Sequence, residues 1–151
     1  MIEQKIKIAL NFVPKKLALR ISLGVMVLLI LFHLLIQVRI LPFTLFWEDS
    51  KVMSNQMITY ETALIVADVI LAIVLSAQCG YLRFLRFEIP GWLIRNLMNV
   101  SCMLFAFNAL TDYYTADSLR DVLFATISLC MAFLTGTVLF QTNTSATSTT
   151  L

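Results

Sequence analysis

Long unbroken apolar runs dominate this chain. Four of them, at about 20–41, 58–81, 92–110 and 121–140, are separated by short polar links. Within each run apolar residues follow one another without the alternation of a half-buried strand. Each is close to the roughly 20 residues that cross about 30 Å of hydrocarbon. Helix is the expected element, because a helix satisfies its own backbone polar groups in lipid. Four short strands could not close a barrel. The expected fold is all-α, a polytopic membrane four-helix bundle made by a single domain over 1–141.

The remaining pattern is interfacial or polar. In "MIEQKIKIALNFV" (1–13), Ile2, Ile6, Ala9, Leu10 and Val13 fall at helical spacing. This predicts a short N-terminal interfacial helix ended near Pro14. The link "LPFTLFWEDSKVMSNQ" (41–56) is rich in aromatic and apolar residues, and "RFLRFEIPGW" (83–92) alternates Arg with Phe. Both compositions suit the membrane surface. The stretch 142–151 is nearly free of apolar residues and reads as a disordered polar tail.

Composition and charge then fix the class and a direction. The chain is 60% hydrophobic and 13% charged, with mean hydropathy +0.87, outside the range of an ordinary soluble domain. Lys5, Lys7, Lys15, Lys16 and Arg20 precede the first run, and Arg83, Arg86 and Arg95 flank the link between runs two and three. The opposite side carries Glu48, Asp49, Lys51, Asp112, Asp117, Arg120 and Asp121. By the positive-inside rule both termini are expected in the cytoplasm. Trp47, Tyr60, Tyr113 and Tyr114 would form an outer aromatic belt, with Tyr81 and Trp92 as the inner one. A net charge of +2 gives no case for nucleic acid, and the basic edges point to anionic lipid as a partner. The first run is expected to be retained, being too long for a signal-peptide core and followed by no small-x-small cleavage site. Cys79, Cys102 and Cys130 fall within or at the ends of runs, so no extracytoplasmic disulfide is expected.

Small residues recur every four positions in two runs. Ala72, Ser76 and Gly80 mark one face of the second, and Ser128, Ala132 and Gly136 one face of the fourth. Such spacing lets helix backbones approach closely in lipid, so both are expected packing faces.

Polar residues inside the runs are the candidate chemistry. His33 falls near mid-bilayer, and Gln37 lies one turn further along the same face. In the returning second run Asp68 is also near the middle, with Glu61 on nearly the same face and roughly 10 Å nearer the outer surface. Matched depth predicts two layers, His33 with Asp68 and Gln37 with Glu61. A mid-bilayer carboxylate costs about 2.5–3.5 kcal/mol, so Asp68 requires a proton, a partner or a polar cavity. Arg39 is placed to reach the outer surface. Asn96 and Asn99 are three apart in the third run, and Asn108 near its outer end would line a cavity mouth. One reading makes His33 and Asp68 a register contact, and another makes the cluster a ligand or proton site.

Several chemistries lack their residues. One histidine and no clustered cysteines give no structural zinc or haem ligand set, and neither a phosphate-binding glycine loop nor a G-x-S-x-G elbow occurs. No metal or other cofactor is implied. "YE" at Tyr60–Glu61, "GY" at Gly80–Tyr81, Pro90 and "FAFNAL" late in the third run resemble small four-span bacterial membrane proteins of broadly DoxX-like shape. That resemblance implies a four-helix architecture and a bacterial inner membrane, with a eukaryotic endomembrane as the alternative setting, and carries no mechanism.

The first functional expectation is therefore binding rather than catalysis. The protein would be an accessory subunit of a larger membrane complex, or would hold an apolar lipid-like or quinone-like ligand near His33, Glu61, Asp68 and Asn108. The second is a proton-coupled transporter or channel, built as a homo-oligomer because four helices enclose little volume. An intramembrane enzyme using the same carboxylates is the third.

Overall fold

The computed structural model describes residues 12–42, 54–82 and 89–147. These form four helices: α1 (Lys15–Gln37), α2 (Ser54–Cys79), α3 (Gly91–Tyr114) and α4 (Leu119–Thr147). All four contain a stretch long and apolar enough to cross a membrane, so the chain is an all-helical integral membrane protein. The expected interfacial helix over 1–13 and the two interfacial links fall largely outside the described residues.

Two helices outrun their apolar stretches. α3 continues past 110 to Tyr114, and α4 runs through 142–147, where composition reads as a tail. Threonine hydroxyls at these ends bond back to carbonyls one turn earlier: Thr111 to Phe107, Thr115 to Thr111 and Thr142 to Val138. A side chain that satisfies itself on its own helix lets the helix extend into the polar zone. The expected tail thus starts as helix, and 148–151 lie outside the described residues.

α1 packs along α2, and α3 along α4, with the α3–α4 contact the most extensive. α1 also packs against α4, while α2 and α3 meet more lightly than any of these three pairs. One hydrogen bond ties the bundle at the end where α1 begins: Gln141 Nε2 donates to the Val13 carbonyl at 2.9 Å. The start of α1 and the end of α4 therefore share one side of the bundle. The core draws buried residues from every helix, with Met26, Leu75, Met98 and Met131 among them. In lipid such contacts contribute through packing rather than through expulsion of water.

The small-residue face of α4 receives α3. The Cys102 thiol donates to the Ala132 carbonyl at 3.4 Å, and the same sulfur lies 3.6 Å from where a Cβ on Gly136 would sit. On α2, Ala72 packs against the core, but Gly80 lies past the last helical residue. Its φ of 81° closes the helix, with Gly80 N–H donating to Ala77 O and Tyr81 N–H to Ser76 O. This is the paired arrangement that favours glycine after a helix end.

α1 ends in the same way with a less suitable residue. Arg39 has a φ of 61°, its N–H donates to Ile36 O, and Ile40 N–H donates to Leu35 O. The left-handed region costs a residue with a Cβ about 1 kcal/mol or more. α4 opens on a reciprocal cap instead: Ser118 Oγ donates to Asp121 Oδ2 at 2.6 Å, and Asp121 N–H donates back to Ser118 Oγ.

Opposite effects are expected at the two left-handed positions. Arg39→Gly should stabilise the folded protein by about 1 kcal/mol, and Gly80→Ala should destabilise it by a similar amount. Thermal unfolding in detergent micelles measures both. Equal shifts of the same sign would contradict the assigned helix ends.

Candidate functional site

The central feature lies between α1 and α2. His33 lies on α1 five residues before the Val38 cap, faces α2 and is 4% exposed. Its Nδ1 lies 2.8 Å from Oε2 of Glu61, which is fully buried. Its Nε2 lies 3.9 Å from Oδ2 of Asp68, whose side chain is 16% exposed. One imidazole thus faces a carboxylate with each ring nitrogen.

Helix geometry explains why a single histidine reaches both. Glu61 and Asp68 are seven residues apart, two turns of α2 on nearly one face, roughly 10 Å along its axis. An imidazole entering between those turns presents its two nitrogens in opposite senses along the axis. The closer contact admits two proton placements. Either Nδ1–H donates to the Glu61 carboxylate, or a protonated Glu61 donates to Nδ1.

The pairing expected from depth changes in two respects. Asp68 does approach His33, but the shorter contact is with Glu61, so the histidine occupies the level between the two carboxylates. Gln37 turns to Thr62 instead: its Nε2 donates to Thr62 Oγ1 at 3.0 Å, and that hydroxyl donates to Ile58 O at 2.7 Å. Thr62 is the member that the sequence reading missed. Its only signal was adjacency to Glu61, one position around the helix. Asn108 does not join the group. It is exposed on α3, and its backbone carbonyl accepts from Thr111 Oγ1.

Aromatic packing connects the cluster to the rest of the bundle. The Phe32 ring meets the His33 ring edge-on, with centroids 6.0 Å apart. The same Phe32 meets Phe124 of α4, again at 6.0 Å. Phe32 and Phe124 are also walls of an apolar groove of about 480 Å³ between α1 and α4, which reaches inward to Ile21 and Leu134. The groove and the polar cluster are therefore separate features that share one residue's neighbourhood. Among the described residues, no group of three or more His, Cys, Asp or Glu side chains is arranged to hold a metal ion.

No family model, curated protein or solved structure matches this chain. Its site is accordingly read from its own geometry.

Removing one partner of a buried charged contact strands the other, whereas replacing both with apolar groups is far less costly. His33→Leu alone should destabilise the protein by about 3 kcal/mol. The His33→Leu/Glu61→Leu double variant should recover part of that loss, since Asp68 still lacks its imidazole. Chemical unfolding in micelles gives the cycle, and additive losses would show that the two side chains do not depend on each other.

Proposed function

We propose that this protein acts within the membrane by binding, and that Glu61, His33 and Asp68 together hold the proton on which that binding depends. The observation that carries this reading is the imidazole placed between two carboxylates, with Nδ1 at 2.8 Å from one and Nε2 at 3.9 Å from the other. Two carboxylates and one histidine have zero net charge only with two protons among them. In a medium where an isolated charge costs several kcal/mol, gain or loss of one proton alters the energy of the α1–α2 contact. Histidine is the side chain suited to that exchange near neutral pH.

What is bound would be another membrane subunit or an apolar molecule of lipid or quinone type. The groove beside Phe32 supports the second, since its walls are apolar along α1 and α4. A proton-coupled transporter is the other reading, and the partial exposure of Asp68 favours it by giving the cluster a route to exchange its proton. The basic residues that flank α1, and the sharing of one side by Val13 and Gln141, support cytoplasmic termini. The resemblance to DoxX-like proteins favours a bacterial inner membrane.

Infrared difference spectroscopy of the protein in lipid nanodiscs tests the proton site. A pH step across about 5–8, the range in which histidine changes charge, should produce a carboxyl signal. Glu61→Gln or Asp68→Asn should remove or move that signal, and His33→Gln should shift its midpoint. A spectrum identical in wild type and all three variants would leave the cluster a packing contact. Native mass spectrometry of the gently extracted protein reports the bound component. A bare, partner-free chain would count against a binding role.

A further inference from the structure

α3 is the least buried of the four helices, and its exposed side has an order of its own. From Trp92 to Tyr113, positions 92, 96, 99, 103, 106, 110 and 113 follow at alternating steps of four and three. That is the heptad spacing of a helix-to-helix seam, kept over three repeats. Its residues are Trp92, Asn96, Asn99, Met103, Ala106, Leu110 and Tyr113. All are exposed except Ala106, which is half-buried, and Met103, Leu110 and Tyr113 are exposed by 74%, 71% and 72%. The positions that α3 buries in its own bundle are different ones, Met98 and Ala109, while Trp92, Leu110 and Tyr113 at the seam's edge also border hollows against α4.

The two asparagines decide what this face is for. Both are exposed, and among the described residues no hydrogen bond reaches either side chain. Asn99 lies eight residues into α3, about 12 Å from its inner end, within the hydrocarbon. A carboxamide there has no water to bond and gains by finding a partner on another helix. The remaining seam residues are apolar or aromatic and suit close packing.

We propose that this face of α3 binds the same face of a second copy of the chain. A carboxamide carries both donor and acceptor, so it is its own complement. Two copies in one membrane share an orientation, and a two-fold axis along the membrane normal sets the two α3 helices parallel. Asn96 then meets Asn96 of the other copy at equal depth, and Asn99 meets Asn99. Such an interface is isologous and closes as a dimer. Polar residues at single seam positions fix register and partner number, which apolar contacts alone do poorly. This inference is independent of the proton site, which lies on α1 and α2.

Oxidative cross-linking in native lipid provides the test. Cys79, Cys102 and Cys130 are first replaced by alanine, and single cysteines are introduced on α3. Asn99→Cys, Met103→Cys and Leu110→Cys should give covalent dimers. Val100→Cys and Leu104→Cys, exposed but off the seam, should not. In the otherwise native chain, Asn99→Leu should weaken dimerisation about three-fold, the equivalent of one average interhelical hydrogen bond in lipid. Its helical content and thermal midpoint should be retained, which separates a lost interface from a failed fold. Cross-links spread evenly over exposed positions would overturn the proposal. So would a strictly monomeric protein in nanodiscs, or occupation of the face by an unrelated subunit.

Discussion

In hydrocarbon a polar group gains by finding a partner, and that demand organises much of this molecule, although the buried hydroxyls of Ser22 and Thr137 bond to nothing among the described residues. It selects helices for the spans, since each helix satisfies its own backbone. It draws His33, Glu61 and Asp68 into one contact between α1 and α2, because none of the three is stable alone at that depth. Hydroxyls meet the same demand at the helix ends, where Thr111, Thr115 and Thr142 turn back on their own carbonyls. The apolar core is comparatively permissive. Met26, Met98 and Met131 fill it with flexible side chains, while the polar contacts determine which helix faces which.

Seen this way, the bundle divides its labour between helices. α1 and α2 carry the titratable cluster, and α1 and α4 enclose the apolar groove. α3 is held chiefly by α4, through Cys102 seated against Ala132 and Gly136, and contributes least to the interior. The residual face on α3 follows from its packing chiefly on α4, with only a light contact to α2.

Much of this was legible beforehand, and the exceptions have identifiable causes. Run length gave the helices, and rise per residue brought His33 to the level of the α2 carboxylates. The partner assignment shifted because Glu61 and Asp68 share a face and the imidazole sits between their turns, a difference of a few ångströms that residue counting does not resolve. Gly80 fits a four-residue small-residue spacing and a helix cap equally well, and only its dihedral distinguishes them. Arg39 could be placed near the surface by its charge, but nothing in its type indicates a left-handed conformation. Asn108 was grouped with the cluster by depth alone. Depth says nothing of direction around the helix axis, and α3 turns that residue outward.

The position of Phe32 has a mechanical consequence. Its ring is a wall of the α1–α4 groove, touches Phe124 across that groove and lies edge-on to the imidazole of His33. A guest wedged between the two phenylalanines would displace a ring that braces the imidazole, changing the latter's aim toward Glu61 and Asp68. The reverse also holds, since reorienting the imidazole reshapes that wall. Phe32 thus joins the apolar groove and the polar cluster through one ring, which belongs to the wall of the first and to the surroundings of the second.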